Sequence, residues 1–177
     1  MFTLYLSLKI TMFLKLIKDF FIKKRIKNKM HVFSEKTNKI AILIAVDEIY
    51  DIENLKTWLI QDVFINNEVS FLLFDESVSK EKTLNSSCIS SKSFGWNADY
   101  KDDLITQFIK NNYQVLISFS NNNLYINHIA QRVHAQYKFG FTSQNNTIFD
   151  VSLIGTTFTN KEYRTELLKY IKSFNII

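Results

Sequence analysis

Apolar residues in this chain keep two rhythms, short unbroken runs and longer stretches with a period near that of a helix, and beyond Lys39 the two alternate. Unbroken runs read as strands buried on both faces, as in parallel sheets, and the helical stretches between them read as the crossovers that parallel strands require. The first strand is Ile40 to Val46. Asp51 stands where it can cap the following helix, whose inward face is Ile52, Leu55, Leu59 and Val63. Val69 to Phe74 is the second strand, whereas Glu76 to Asp99, rich in Ser and Lys, has weak periodicity and reads as an irregular connection. Helical spacing returns with Leu104, Ile105, Phe108 and Ile109. Gln114 to Phe119 is the next strand, followed by a polar turn, Ser120 to Asn123, and a helix using Ile126, Ile129, Ala130 and Val133. Tyr137 to Phe141 and Phe149 to Ile154 are further strands. The last helix carries Tyr163, Leu167, Tyr170, Ile171 and Phe174 behind a capping box at Thr159 and Glu162. Right-handed crossovers turn this order into an α/β, Rossmann-like, mostly parallel sheet of about five strands with helices on both faces. Strand order is not readable at this level.

Ahead of that body, Ile10, Phe13, Leu14, Ile17, Phe20 and Phe21 recur with the spacing of one helical face, and Lys9, Lys15, Lys18, Lys23 and Arg25 lie off it. Residues 1–39 therefore read as a basic amphipathic helix with a linker, and 40–177 as one Rossmann-like domain. Charges at Lys9, Lys15, Lys18 and Asp19 interrupt the apolar run well short of the ~18–20 residues a membrane span needs. A secretory signal fits poorly too, because the charges follow the apolar stretch and no small-residue cleavage pattern stands before Lys23. Two occupants remain for the apolar face. Either it packs on the body or on a partner protein with the lysines in water, or it enters lipid while Lys23 to Lys29 meets anionic head groups. The contact residues would be Phe13, Ile17, Phe20, Phe21, Lys23, Lys24 and Arg25. Nucleic acid is not expected as a partner, since the basic stretch has no interleaved aromatics and no known motif.

Composition narrows the class. At 177 residues the chain is long enough for one well-buried core, and 46% hydrophobic with 15% aromatic residues excludes disorder. The single cysteine, Cys88, cannot form an intramolecular disulfide, and a cytoplasmic address is expected, peripheral to the membrane if the helix meets lipid. The absence of proline, with abundant Lys, Asn, Ile and Phe, fits an AT-rich coding sequence, so runs of Asn carry little functional signal. The net charge of +5 divides unevenly: +8 lies before Ile40 and −3 after it. Attraction to phosphate or anionic lipid thus belongs to the N-terminal segment.

In an open α/β sheet, ligands sit at the carboxyl ends of the strands. Asp47 and Glu48 follow the first strand and Asp75 and Glu76 the second, hard oxygen ligands that adjacent strands could bring to one Mg²⁺ or Ca²⁺. The same acids serve equally as turn residues and helix N-terminal charges. In the turn after the Gln114 to Phe119 strand, Ser118, Ser120, Asn121 and Asn123 offer donors to a phosphate or carboxylate, or else cap the next helix. No glycine follows the first strand, where Ala45-Val46-Asp47-Glu48 stands, so neither a Walker loop nor a Gly-x-Gly-x-x-Gly turn is present and no nucleotide cofactor is expected. His128 and His134, six apart on one expected helix, point to different sides and do not share a metal. Cys88 has no neighbouring histidine to activate it. Gly95, between Phe94 and Trp96, reads as a tight turn with aromatic anchors, and Gly140 as relief of crowding near a strand end.

The run Val115 to Phe119, then Leu124 to Ala135, Tyr137 to Phe141 and Phe149-Asp150, with Phe94-Gly95-Trp96 before it, resembles a small bacterial family of unknown function over roughly Ile40 to Phe174. More distantly, the strand-helix-strand block is similar to the N-terminal Rossmann-like half of heptosyltransferase-type glycosyltransferases. That second resemblance implies a nucleotide-sugar held against a second domain and a charged residue in the turn after the strand. This chain has no room for such a domain, and Ser120 to Asn123 is neutral. The reading that follows is a noncatalytic Rossmann-like binding or scaffold module, peripheral to the inner membrane surface through its first helix. The alternative is a small enzyme or anionic-ligand-binding domain working at the strand ends through Asp47, Asp75, Ser118 and Ser120.

Overall fold

The computed structural model of the protein describes residues 2–25, 37–49, 51–77, 87–142, 147–154 and 160–177. Strands β1 (Lys39–Ala45), β2 (Glu68–Phe74), β3 (Cys88–Ile89), β4 (Asn112–Phe119), β5 (His134–Thr142) and β6 (Val151–Ile154) form one sheet in the order β3-β2-β1-β4-β5-β6. All of its pairings are parallel. This is the order of doubly wound dinucleotide-binding sheets, whose direction of growth reverses between the first and fourth strands. The sequence expectation of about five strands becomes six among the described residues. The extra one, Cys88–Ile89, lies in the stretch read as irregular, and its two residues are too few to show a period. Only their register against Leu73 and Phe74 makes them a strand.

Helices α1 (Phe2–Arg25), α2 (Ile52–Trp58, continued by a π-helical turn to Val63), α3 (Asp103–Lys110), α4 (Leu124–Arg132) and α5 (Asn160–Ser173) cover both faces. Asp51 caps α2 as its position foretold, its Oδ1 accepting from the Asn54 amide at 3.0 Å. Asp102 does the same for α3. Thr159, half of the expected capping box of α5, lies outside the described residues. The two histidines do not share a helix, which corrects the expectation. Val133 turns extended after α4 and His134 opens β5.

Alternation along β1 assigns the two halves of the core. Ile40, Ile42 and Ile44 pack with Leu55, Leu59 and Val63 after β1 and with Leu167 and Ile171 of α5. Ala41, Leu43 and Ala45 pack with Ile22 of α1, Ile105 and Phe108 of α3, and Ile126, Ile129 and Ala130 of α4. Right-handed crossovers require this split: a step one way from β1 puts its helix on one face, and a step the other way from β4 puts its helix on the opposite face. Burial of each Ile, Leu, Val or Phe among them is worth about 1.5–3 kcal/mol, so this two-sided layer is what makes the sheet stable.

A buried lysine and a glycine on β5 shape the α4 face. Lys138, mid-strand in β5 and buried, donates from Nζ to the Ala130 and Gln131 carbonyls at 2.8 and 3.1 Å. It thereby satisfies the C-terminal end of α4 and sits where the helix dipole favours a cation. Beside it, a Cβ on Gly140 would lie 2.3 Å from the Phe149 ring, the crowding its strand position implied.

Residues Phe94 to Tyr100 close on themselves through an antiparallel bridge, with the Gly95 amide donating to the Asp99 carbonyl at 2.7 Å. The aromatic anchors divide: Phe94 is buried and Trp96 lies on the surface. The left-handed residue of this turn is the buried Ala98, at φ 66°, and not Gly95. What the glycine permits is close approach, since a Cβ there would meet Asn97 Oδ1 at 2.9 Å.

Candidate functional site

The carboxyl ends of β1 and β4 flank the point where the sheet reverses direction, the place where a doubly wound fold opens its ligand crevice. Here that crevice is occupied by the protein's own groups. Glu48, in the 3₁₀ turn after β1, accepts a hydrogen bond from the Asn121 backbone N–H. Ser120 Oγ accepts from the Asn123 amide at 3.1 Å, and Asn123 Oδ1 accepts from the Tyr125 and Ile126 amides at 3.0 and 3.2 Å. Asn122, at φ 68°, takes the left-handed position that a glycine would otherwise fill. The start of α4 is thus capped from within, and the carboxylate of Glu48 stands where an anionic ligand would approach. Burial pushes the Glu48 carboxyl upward and the neighbouring Asp47 adds to it, while the Asn121 amide pulls it back. Ser118, on β4, is buried, and its Oγ has no hydrogen-bond partner among the described residues.

Strands β1 and β2 are neighbours, as the paired-acid reading requires, and three of the four acids after them, Glu48, Asp75 and Glu76, have other partners. Asp75 Oδ1 accepts from the Ser77 amide and hydroxyl at 2.7 and 2.6 Å. Glu76 Oε2 accepts from the Ser91 amide and hydroxyl at 3.2 and 2.8 Å, tying the ends of β2 and β3 together. Asp47 is exposed. Among the described residues no group of three or more His, Cys, Asp or Glu is placed to hold a metal ion.

Helix α1 is docked in a way its sequence did not announce. The side facing the body is its polar one: Lys15, Lys18, Asp19, Ile22 and Arg25 recur at helical spacing and each meets the body. Lys15 pairs with Glu76 at 3.7 Å, and Lys18 Nζ donates to the Ser91 carbonyl at 2.7 Å. Asp19 accepts from the Tyr125 hydroxyl at 2.8 Å, and Arg25 donates to Asp99 at 2.7 Å, holding the Asp99 carboxyl below the usual range. Ile22 is fully buried at the centre of these contacts, and Phe21 meets Trp96 edge to face at 5.8 Å. The opposite side carries Met12, Phe13, Leu16 and Phe20, each about 62–66% exposed, followed by exposed Lys23 and Lys24. The sequence reading leaves the apolar stripe either packed on the body or a partner with the lysines in water, or entering lipid, and in the structure Phe13 and Phe20 of that stripe face away from the body. That reading passed over Ile22, a lone apolar residue among charges, whose helical register with Lys15, Lys18 and Arg25 was the available signal. Of the contact residues it proposed, Phe13, Phe20, Lys23 and Lys24 are exposed and Ile17 half-buried, whereas Phe21 and Arg25 are engaged within the molecule.

The model of a family of unknown function, DUF6913, matches residues 15–174. The chain belongs to DUF6913. The DUF6913 match begins at Lys15, the first of the docking residues on α1, and runs through the whole sheet into α5. The docked part of the helix is thereby part of the DUF6913 unit. No curated protein and no solved structure matches the chain. Among the described residues no helix is long and apolar enough to cross a membrane.

Proposed function

We propose that this member of DUF6913 is a noncatalytic binding module that lies on an anionic lipid surface, with the outward face of α1 in the head-group layer and the α/β body held against it. One observation carries the reading: the helix spends its charged side on the body and leaves Met12, Phe13, Leu16 and Phe20 in water. A helix that only needed to dock would turn those four residues inward. Their patch runs into Lys23 and Lys24, whose ammonium groups complement phosphate head groups at about 1 kcal/mol each near an anionic surface. Apolar insertion plus basic flanks is the physics of an interfacial helix. Against an enzyme at the strand ends, the turn after β4 spends its amides on Ser120, Asn123 and Glu48.

The test is flotation of the full chain with vesicles of phosphatidylglycerol and phosphatidylcholine, compared with phosphatidylcholine alone. Deleting α1 is the wrong probe, because Ile22 belongs to the core. The double variant Phe13→Glu/Phe20→Glu changes only exposed positions, and its thermal unfolding is expected to match the parent's. The expected outcome is flotation that requires anionic lipid and falls at least tenfold in the variant, since each buried phenyl is worth about 1.5–3 kcal/mol. Equal flotation of variant and parent sinks the proposal, as does a stable dimer by sedimentation that dissociates in the variant while neither protein floats.

A further inference from the structure

A second feature lies at the edge of the sheet, beyond the end of β3. A cleft of about 790 Å³ opens between the 3₁₀ turn Ser91–Ser93, the segment leading into α3, and α1. Its wall is cationic: Lys18, Lys92 and Lys101 all line it, together with Ser90, Ser93 and Phe94. Its volume is that of small-molecule sites, about 300–1,000 Å³, and it sits at a strand's carboxyl end, where parallel sheets bind ligands.

Its charges are unevenly committed. Of the two carboxylates in the lining, Asp102 caps α3 through the Leu104 amide and accepts from the Ser93 hydroxyl at 3.2 Å, and Asp103 stands in the first turn of that helix. Lys92 and Lys101 have no ion-pair partner among the described residues. Lys18 is held in place by the Ser91 carbonyl and is close enough to Lys101 to be repelled by it. Burial first, and that repulsion second, press its ammonium downward. Ser90 Oγ accepts from the Lys92 amide and keeps its own hydrogen to donate. Three lysines against two carboxylates, one of them hydrogen-bonded to Ser93 and to the start of α3, leave the lining net positive, a charge that an anion in the cleft would neutralise. Each lysine acts on a phosphate as a point charge, so several of them along one wall suit a compact anion that carries more than one charge.

We propose that this cleft binds the phosphate group of a phosphate-bearing molecule, gripped by Lys18, Lys92 and Lys101 with the Ser90 hydroxyl as a donor. It is a site separate from the outward face of α1, because Lys18 lies on the docked side of the helix.

The test is calorimetric titration of the full chain with inorganic pyrophosphate at fixed ionic strength and at two temperatures, beside the variant Lys92→Gln/Lys101→Gln, which changes exposed side chains. A control variant, Lys169→Gln/Lys172→Gln, removes the same charge from α5 on the other face of the sheet. Binding that weakens at least tenfold in the first variant and stays within twofold in the control is the expected result. No heat at either temperature, or equal weakening in both variants, overturns the proposal. Vesicle flotation of the Lys92→Gln/Lys101→Gln protein then separates the two sources of the phosphate. Lost flotation assigns the cleft to a lipid head group, and unchanged flotation with lost pyrophosphate binding assigns it to a soluble phosphate ester. Pyrophosphate heat needs no lipid, so failure of the cleft and failure of the membrane reading are read independently.

Discussion

A histidine in an unfolded chain titrates near pH 6.5; His128 is held far from that value by its surroundings. It is fully buried on α4, its Nε2–H donates to the Ala98 carbonyl at 3.1 Å, and its Nδ1 has no partner among the described residues. A second proton would therefore sit on a buried nitrogen with nothing to accept from it. Burial pushes the imidazole down to about 4, with the charges of Arg132 and Arg25 adding to the effect and the Ala98 bond and Asp99 opposing it. Since the unfolded chain takes up the proton first, this contribution is fully present above about pH 6.5 and is lost as pH falls toward 4. The rate of loss is about 1.4 kcal/mol per pH unit at most. Replacing His128 with Phe should lower stability at pH 7, because the Ala98 carbonyl loses its donor, and flatten the dependence of the urea midpoint between pH 6.5 and 4.5. Parallel profiles for parent and variant would show that His128 does not carry the effect. At this scale the sequence carries some features and hides others. Crowding at Gly140 followed from its place on a strand, whereas the burial of His128 depends on the loop Phe94 to Tyr100, whose closure on α4 has no periodic signal.

Among the elements, α4 is governed by its two ends. Asn123 answers two amides at the start and Lys138 two carbonyls at the finish. Asn123→Ala should cost about 1 kcal/mol, read as a lower urea midpoint with an unchanged slope. A loss below a few tenths would mean that Ser120 and water replace the cap. Caps were legible in advance because they are local: Asp51 and Asn123 stand immediately before the helices they cap, and a short oxygen-bearing side chain can reach only the next few amides. The orientation of α1 was not legible. Its apolar stripe and its charged stripe are both regular, and the choice between them was made by Tyr125, Ser91, Glu76 and Asp99, contributed from across the body.

For the whole molecule, the question is whether α1 is an appendage or a part of the domain. Ile22 is buried in the same core cluster as β1, α3 and α4, so we expect the helix and sheet to unfold as one. Ile22→Ala should lower global stability by about 2–5 kcal/mol, with amides of α1 and of β4 losing hydrogen-exchange protection together. Loss confined to α1 would identify an attached helix that docks and undocks by itself. The sequence alone determined the succession of buried strands and crossover helices, because strand burial and helical amphipathicity write themselves into the spacing of apolar residues along a few neighbouring positions. The tertiary structure alone decided the strand order, the two-residue β3, the inward turn of the charged side of α1 and the placing of Lys18, Lys92 and Lys101 along one cleft. Each of these rests on contacts between residues far apart in the chain, and pairing energies across such distances leave no period in the sequence to read.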